Sequence, residues 1–228
     1  MKKLGLITYQ TNHLKTEQVF KKLVEKYPAA EFTFYGLPFV RRKKRNVIFE
    51  HRPDQSHGMN TLELAAQFDC RYVKCEHDFD IPSGDDIYLI LGAGILSAEC
   101  IEGKRILNAH PGVIPSSRGL DAFKWAIFNG DPIGNSLHFI DAAVDAGEIV
   151  AIKRTPVFGD DTLEDFAARH YELEIEMMAN FEYHLKHPSN DFPNAPIGEP
   201  HMRMKAELEQ KLRERFEIYK LKYGEEKC

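Results

Sequence analysis

Residues 87–91, Ile-Tyr-Leu-Ile-Leu, hold no charged residue and no alternation of polar with apolar positions. A short run of this kind reads as a strand buried on both faces, as in a parallel sheet covered by helices. Similar short runs recur at Leu4–Thr8, Phe32–Tyr35, Arg71–Val73 and Arg105–Asn108, and later at Ser136–Ile140 and Glu148–Lys153. Between them lie stretches of helical spacing. Thr16–Lys26 carries Val19, Phe20, Leu23 and Val24; Thr61–Phe68 and Phe123–Asn129 are shorter. Strands alternating with helices predict an α/β fold, a Rossmann-like, mostly parallel sheet with helices on both faces and right-handed crossovers. At 228 residues and 43% hydrophobic, the chain can bury one sizeable core.

Further along, Asp161 is expected to cap a long helix, with Glu164 as its capping-box partner. That helix carries Leu163, Phe166, Ala167, Leu173 and Met177 and is expected to run to about Lys186. Residues 187–201 hold four prolines and no periodicity, which reads as a linker. A charged helix over about 202–222 follows, with Leu208, Leu212, Phe216 and Tyr219 on one stripe. The expected division is a catalytic domain over 1–186, then a Pro-rich linker and short helical C-terminal extension over 187–228. The stripe can cover the core, the commoner outcome, or pair two chains as a homodimer.

The net charge of −5 argues against a protein that coats nucleic acid. No run reaches the ~18–20 apolar residues of a membrane helix, and the N-terminus reads as a first strand and not as a signal peptide. Cys70, Cys75, Cys100 and Cys228 form no CxxC pair. They read as reduced thiols of a cytoplasmic protein, and no metal site is expected.

The strand at 105–108 leads into Ile-Leu-Asn-Ala-His-Pro-Gly, residues 106–112. Ligands of open α/β sheets bind at the carboxyl ends of strands, where Asn108 and His110 fall. His138 and Asp145 follow within forty positions. Taken singly, each has an ordinary explanation: a capping Asn, a packed His, a turn Asp before Gly147.

Taken together they resemble the folate-dependent formyltransferase family, which includes glycinamide ribonucleotide transformylase, methionyl-tRNA formyltransferase, sugar-nucleotide N-formyltransferases and formyltetrahydrofolate hydrolase. The residues carrying the resemblance are Asn108-Ala109-His110-Pro111, Arg118-Gly119-Leu120, Gly134 to His138 and Asp145-Ala146-Gly147, with the loop Gly92–Cys100. It is strong over about 85–158, weaker over 1–84 and absent over 187–228. The resemblance implies that Asn108, His110 and Asp145 are catalytic and that His138 buttresses the Asp145 loop. It implies 10-formyltetrahydrofolate as cosubstrate, without a metal. The folate would lie between Gly94-Ile95-Leu96 and the segment Ile140 to Val144, of which Ile140, Asp141, Ala142 and Val144 are the expected contacts. The chemistry agrees: formyl transfer to an amine passes through a tetrahedral oxyanion, which needs preorganised donors. The amine must also lose a proton, a task for a histidine ordered by a carboxylate.

The acceptor is less legible. Glycinamide ribonucleotide transformylases carry a Gly-rich phosphate loop after the first strand, where this chain has Tyr9-Gln10-Thr11-Asn12-His13. Methionyl-tRNA formyltransferases carry a C-terminal barrel, for which the forty residues after 187 leave little room, so no nucleic-acid partner is expected. The run Arg41-Arg42-Lys43-Lys44-Arg45, followed by Phe49–Gly58, reads either as a solvated basic loop or as a grip for an anionic acceptor. On the second reading Tyr9, Asn12, Arg52 and His57 contact a small, phosphorylated amine, with an amino-sugar nucleotide the best fit. His51 and Asp54 are further candidates for sugar hydroxyls. Glycinamide ribonucleotide is the alternative acceptor. A hydrolase would be expected to carry an added N-terminal regulatory domain. A binding protein would not need a proton relay, and a dinucleotide oxidoreductase would need a GxGxxG after the first strand.

Overall fold

Lys3–Tyr9 (β1) occupies the middle of the sheet, because its side chains at Leu4, Leu6 and Ile7 are apolar on both faces and fully buried. The structure is a computed structural model that describes residues 2–40, 46–141 and 147–226. After β1 come Leu14–Lys26 (α1), Glu31–Leu37 (β2), Thr61–Gln67 (α2), Arg71–Lys74 (β3), Ile87–Ile90 (β4), Ala98–Ile101 (α3) and Ile106–His110 (β5). The second half holds Arg118–Gly119 (β6), Ala122–Asn129 (α4), Gly134–Phe139 (β7), Ile149–Arg154 (β8), Leu163–Ala179 (α5) and Phe181–Lys186 (α6). Ser189–Asn190 (β9), Pro200–His201 (β10), Ala206–Glu209 (α7) and Leu212–Tyr223 (α8) complete the chain.

The main sheet runs β3-β2-β1-β4-β5-β7-β8-β9. Pairings from β3 to β5 are parallel; β7 is antiparallel to both β5 and β8. Strand order reverses at β1, which has β2 on one side and β4 on the other. The carboxyl ends of β1, β4 and β5 therefore border the crevice where such sheets bind ligands. The expected α/β architecture is the one observed.

Alternation along the strands sorts the core. Leu4, Leu6, Leu89, Leu107, Ala109 and Leu137 face one side and pack with Phe20 and Leu23 of α1, Leu64 of α2 and Ile175 and Met178 of α5. Ile7, Tyr35, Tyr88 and Ile106 face the other and pack with Cys75, Leu96 and Cys100. A third cluster joins Phe123 and Ile127 of α4 to Phe166 of α5 and to Leu212, Phe216 and Tyr219 of α8. The C-terminal stripe thus packs on its own chain.

Three expectations need correction. The cap of α5 is Thr162, which exchanges hydrogen bonds with Asp165. Asp161 instead accepts both guanidinium nitrogens of Arg169, at 2.7 and 2.8 Å, and the Phe158 N–H. The long helix stops at Ala179 and restarts at Phe181, with Asn180 capping its end. The segment 187–201 does contain strand pairing: β9 adds to the sheet beside β8, and β10 pairs with β6.

Candidate active site

β5 runs on to His110, so the Asn-Ala-His triplet is strand and not turn. With Leu107 and Ala109 committed to one core, Asn108 and His110 project from the opposite face. Antiparallel pairing sets Asn108 opposite His138 and His110 opposite Ser136, so all four share that face. The same period places Tyr9, at the end of β1, and Gly92, just past β4, on this face. Gly92 leaves room for two rings: a Cβ there would stand 2.7 Å from His13 and 2.9 Å from Tyr9.

His138 is buried, and its Nδ1–H donates to the Phe139 carbonyl at 3.1 Å. Its Nε2 accepts from the Asn108 amide at 3.4 Å. The imidazole therefore fixes which end of the Asn108 amide carries the donors. The expected support of the Asp145 loop by His138 falls on residues outside the described ones. Gly147 lies so close to the Phe139 oxygen that a Cβ would come within 1.8 Å. Asp145, Ala142 and Val144 lie outside the described residues, as does the basic run at 41–45.

His110 is buried, and its Nε2–H donates to the Ser117 carbonyl at 2.8 Å. A neutral ring in this tautomer carries its lone pair on Nδ1. Gly112 makes the arrangement fit: a Cβ there would lie 2.4 Å from the Ser117 oxygen and 2.7 Å from His110 Nε2. Buried Ser136 holds the turn, donating to the Gly112 carbonyl at 2.7 Å and accepting from the Ile114 N–H at 3.0 Å. From the other side of the sheet, His170 of α5 donates to the Pro111 carbonyl at 3.3 Å while accepting from Thr155 at 2.7 Å. Burial pushes His170 down to a pKa of about 4, so its ring is neutral.

Next to this hydrogen-bonded arrangement sits a cluster of ions. Glu174 of α5 is 1% exposed and accepts from Lys15 at 2.6 Å and from Arg52. Burial alone would raise its pKa, but Arg52 and Lys15 hold it down at about 2. Two cations meet one carboxylate, which leaves one positive charge in excess. His13 hydrogen-bonds to Thr16 at 2.8 Å, and burial, then Lys15 and Arg52, lower it to about 4. His51 stacks on Phe123 at 5.8 Å, and its Nδ1 is buried without a hydrogen-bond partner.

Of the expected acceptor contacts, Arg52 joins this cluster and Tyr9 stands at its border, packed edge-on against His13. Asn12 is exposed and forms an isolated bridge with Asn60. His57 is exposed, and Asp54, 3.7 Å away, is its charged neighbour; Asp54 itself caps Ser56. Neither Asn12 nor His57 joins the Glu174 cluster. The expected folate segments do come together: Leu96 is buried in the cluster that Ile140 packs against, while Gly94 and Ile95 stay exposed above it and Asp141 is exposed at the rim. An apolar floor with backbone groups beside it suits a flat heteroaromatic ring. Sequence reading missed His13, Lys15, His170 and Glu174. One signal was available: His170 and Glu174 fall on the buried stripe of α5 with Ala167, Tyr171 and Met178.

The sequence pattern of the formyl transferase family matches residues 88–181. The phosphoribosylglycinamide formyltransferase of Escherichia coli is 32% identical over 112 residues, 46% of this chain and 53% of that enzyme. The chain spans about a third to a half of the length of the curated relatives it matches. A sugar N-formyltransferase from Shewanella shares the fold with a TM-score of 0.60 at 14% identity, over 93% of this chain and 88% of that one. The phosphoribosylglycinamide formyltransferase of Streptococcus pneumoniae does so at 0.54 and 21%, over 82% and 98%. The segment that carries Asn108, His110 and His138 is thus the part of this chain that matches the formyl transferase family.

Proposed function

We propose that this protein transfers a formyl group from 10-formyltetrahydrofolate to the primary amine of a small anionic acceptor. The observation that carries this reading is the pair Asn108 and His110 on one face of β5, each held in a defined hydrogen-bonding state by a buried partner. The folate, when bound over Leu96 and Ile140, supplies a formyl group activated on nitrogen. Asn108 Nδ2 offers N–H donors to the oxygen that gains negative charge, a contribution worth about 10²–10³ in rate for one such donor. His110 takes a proton at Nδ1 from the attacking amine, Asp145 stabilises the resulting imidazolium, and the proton passes to the folate nitrogen as its bond to the formyl carbon breaks. Asn108 is oriented beforehand by His138, so neither group has to reorganise as charge develops.

The acceptor is read as an amino-sugar nucleotide. Arg52 and Lys15 leave one uncompensated positive charge beside the site, which favours an anionic group. His51 Nδ1 lacks a partner and suits a sugar hydroxyl. Glycinamide ribonucleotide is the second reading, favoured by the Escherichia coli relative. Against it, His13, at the position expected of a phosphate loop, is neutral above pH 4 and covers Gly92.

The test is release of tetrahydrofolate from 10-formyltetrahydrofolate, first without amine, then with a panel of amino-sugar nucleotides and with glycinamide ribonucleotide. Release dependent on one amino-sugar nucleotide is the expected result. Release without any amine indicates a hydrolase and overturns the proposal, and release with glycinamide ribonucleotide alone selects the second reading.

A further inference from the structure

The segment after β9 lies against the turn that follows His110. Gly198 N–H donates to the Pro115 carbonyl at 3.0 Å, and the Gly198 carbonyl accepts from Arg118 at 2.9 and 3.2 Å. Next, β10 pairs in parallel with β6, and Leu120 N–H reaches the His201 carbonyl at 2.8 Å. Trp125 stacks on His201 at 4.5 Å and donates to the Met202 carbonyl at 2.7 Å. Met204 N–H then donates to Asp121 at 3.0 Å.

The approach is backbone to backbone. A Cβ on Gly198 would lie 2.0 Å from the Ser116 carbonyl oxygen. One on Gly119, at φ +85°, would lie 2.4 Å from the His201 oxygen. In α7, Glu209 reaches in a second direction: it accepts from buried Lys124 at 2.7 Å and from the Ile48 N–H at 2.7 Å. Ile48 lies four residues before Arg52.

We propose that residues 198–209 are a positioning strap for the site. They fix the 115–121 turn, and through the Ser117 carbonyl they select the Nε2–H tautomer of His110. Through Glu209 they hold the segment that leads from Ile48 to Arg52. The catalytic consequence rests on the formyltransferase reading; the structural claim does not. Free to move, the turn would let Ser117 leave Nε2, and the hydrogen bond that favours the Nε2–H tautomer would be lost. Arg118, Trp125 and Glu209 act through other groups and are positioning residues.

The test is Gly198→Ala, which drives a methyl into the Ser116 carbonyl, compared with Arg118→Gln/Trp125→Phe, which removes side-chain hydrogen bonds to the strap without adding bulk. The double variant serves wherever Gly198→Ala does not fold. The tautomer of His110 is read from long-range proton–nitrogen correlations of the histidine rings, with His110→Gln identifying the signal. The wild type is expected in the Nε2–H form, and the variants as a tautomer mixture. For formyl transfer, kcat should fall about tenfold or more with a smaller change in the KM for the folate, since sub-ångström misplacement of a reacting group is costly. A folded variant with the wild-type tautomer overturns the strap. Because the spectra need no substrate, a wild type without formyl transfer would overturn the formyltransferase reading and leave the strap tested.

Discussion

The two sides of the crevice are built from different physics. Along β5 and β7 the groups are hydrogen-bonded: Asn108, His110, His138 and Ser136 are held by backbone or by each other. Most of these partners lie within some thirty residues of one another. On the side of α1 and α5 the groups are ions. Lys15, Arg52 and Glu174 come from three separate parts of the chain, and Glu174 is buried with both cations on it. The hydrogen-bonded side can change charge during a reaction, because imidazole is the side chain suited to gaining and losing a proton near neutral pH. The ionic side cannot, because each charge is needed by the others. One side is suited to proton transfer and the other to holding the structure and attracting an anion.

The sharpest way to separate the sides is to remove one group from each. Replacing His110 by Ala should lower turnover by about 10²–10⁴ while the unfolding midpoint stays near that of the wild type. Single-turnover kinetics and denaturant unfolding together check this, and near-wild-type turnover would end the mechanism proposed above. Glu174→Ala should do the reverse. It strands Lys15 in the interior, where breaking a buried pair costs about 3–5 kcal/mol. Urea unfolding that shows no loss would mean the ion cluster is less buried than its contacts indicate.

The pH dependence of stability should follow the same division. His13 and His170 titrate at about 4 in the folded protein against 6.5 unfolded, both driven down mainly by burial. The unfolded chain binds the extra protons between those values. Stability is therefore complete above pH 6.5 and declines as the pH falls to 4. His170 alone contributes about 3 kcal/mol at 1.36 kcal/mol per unit. Glu174, at about 2 against 4.5, adds a further loss between pH 4.5 and 2. Denaturant midpoints measured from pH 8 to 4 would contradict this by remaining flat.

Gly112→Ala tests how tightly the hydrogen-bonded side is built. The added methyl meets the Ser117 carbonyl and His110 Nε2. Overpacking of this kind costs about 1–3 kcal/mol, and turnover should fall further than stability. The smallest effect is expected at His57, which is exposed beside Asp54. His57→Ala should leave the unfolding midpoint unchanged, and an increase in the KM for the amine would restore it as an acceptor contact.

Hydrophobic run length and spacing were enough to predict the α/β sheet, because burial on both faces leaves a strand no polar alternation to show. The resemblance around Asn108, His110 and His138 was legible because the residues that build that side are close in sequence and fixed by strand register. Asp161 was misread as a cap because Thr162 and Asp165 satisfy the first turn equally well, and Arg169, eight residues on, claims the Asp161 carboxylate. The segment 187–201 looked like a linker because two-residue strands leave no periodicity. Their pairing depends on partners 38 and 82 residues away.

The sequence by itself determined the sheet, the face that Asn108 and His110 share and the family that their segment resembles. All three follow from local spacing. Only the tertiary structure decided which ions meet Glu174, which carbonyl fixes the His110 tautomer and what lies against the turn that carries it. Those contacts join residues far apart in the chain, and each is stable only after folding has removed the water that would otherwise satisfy the same groups.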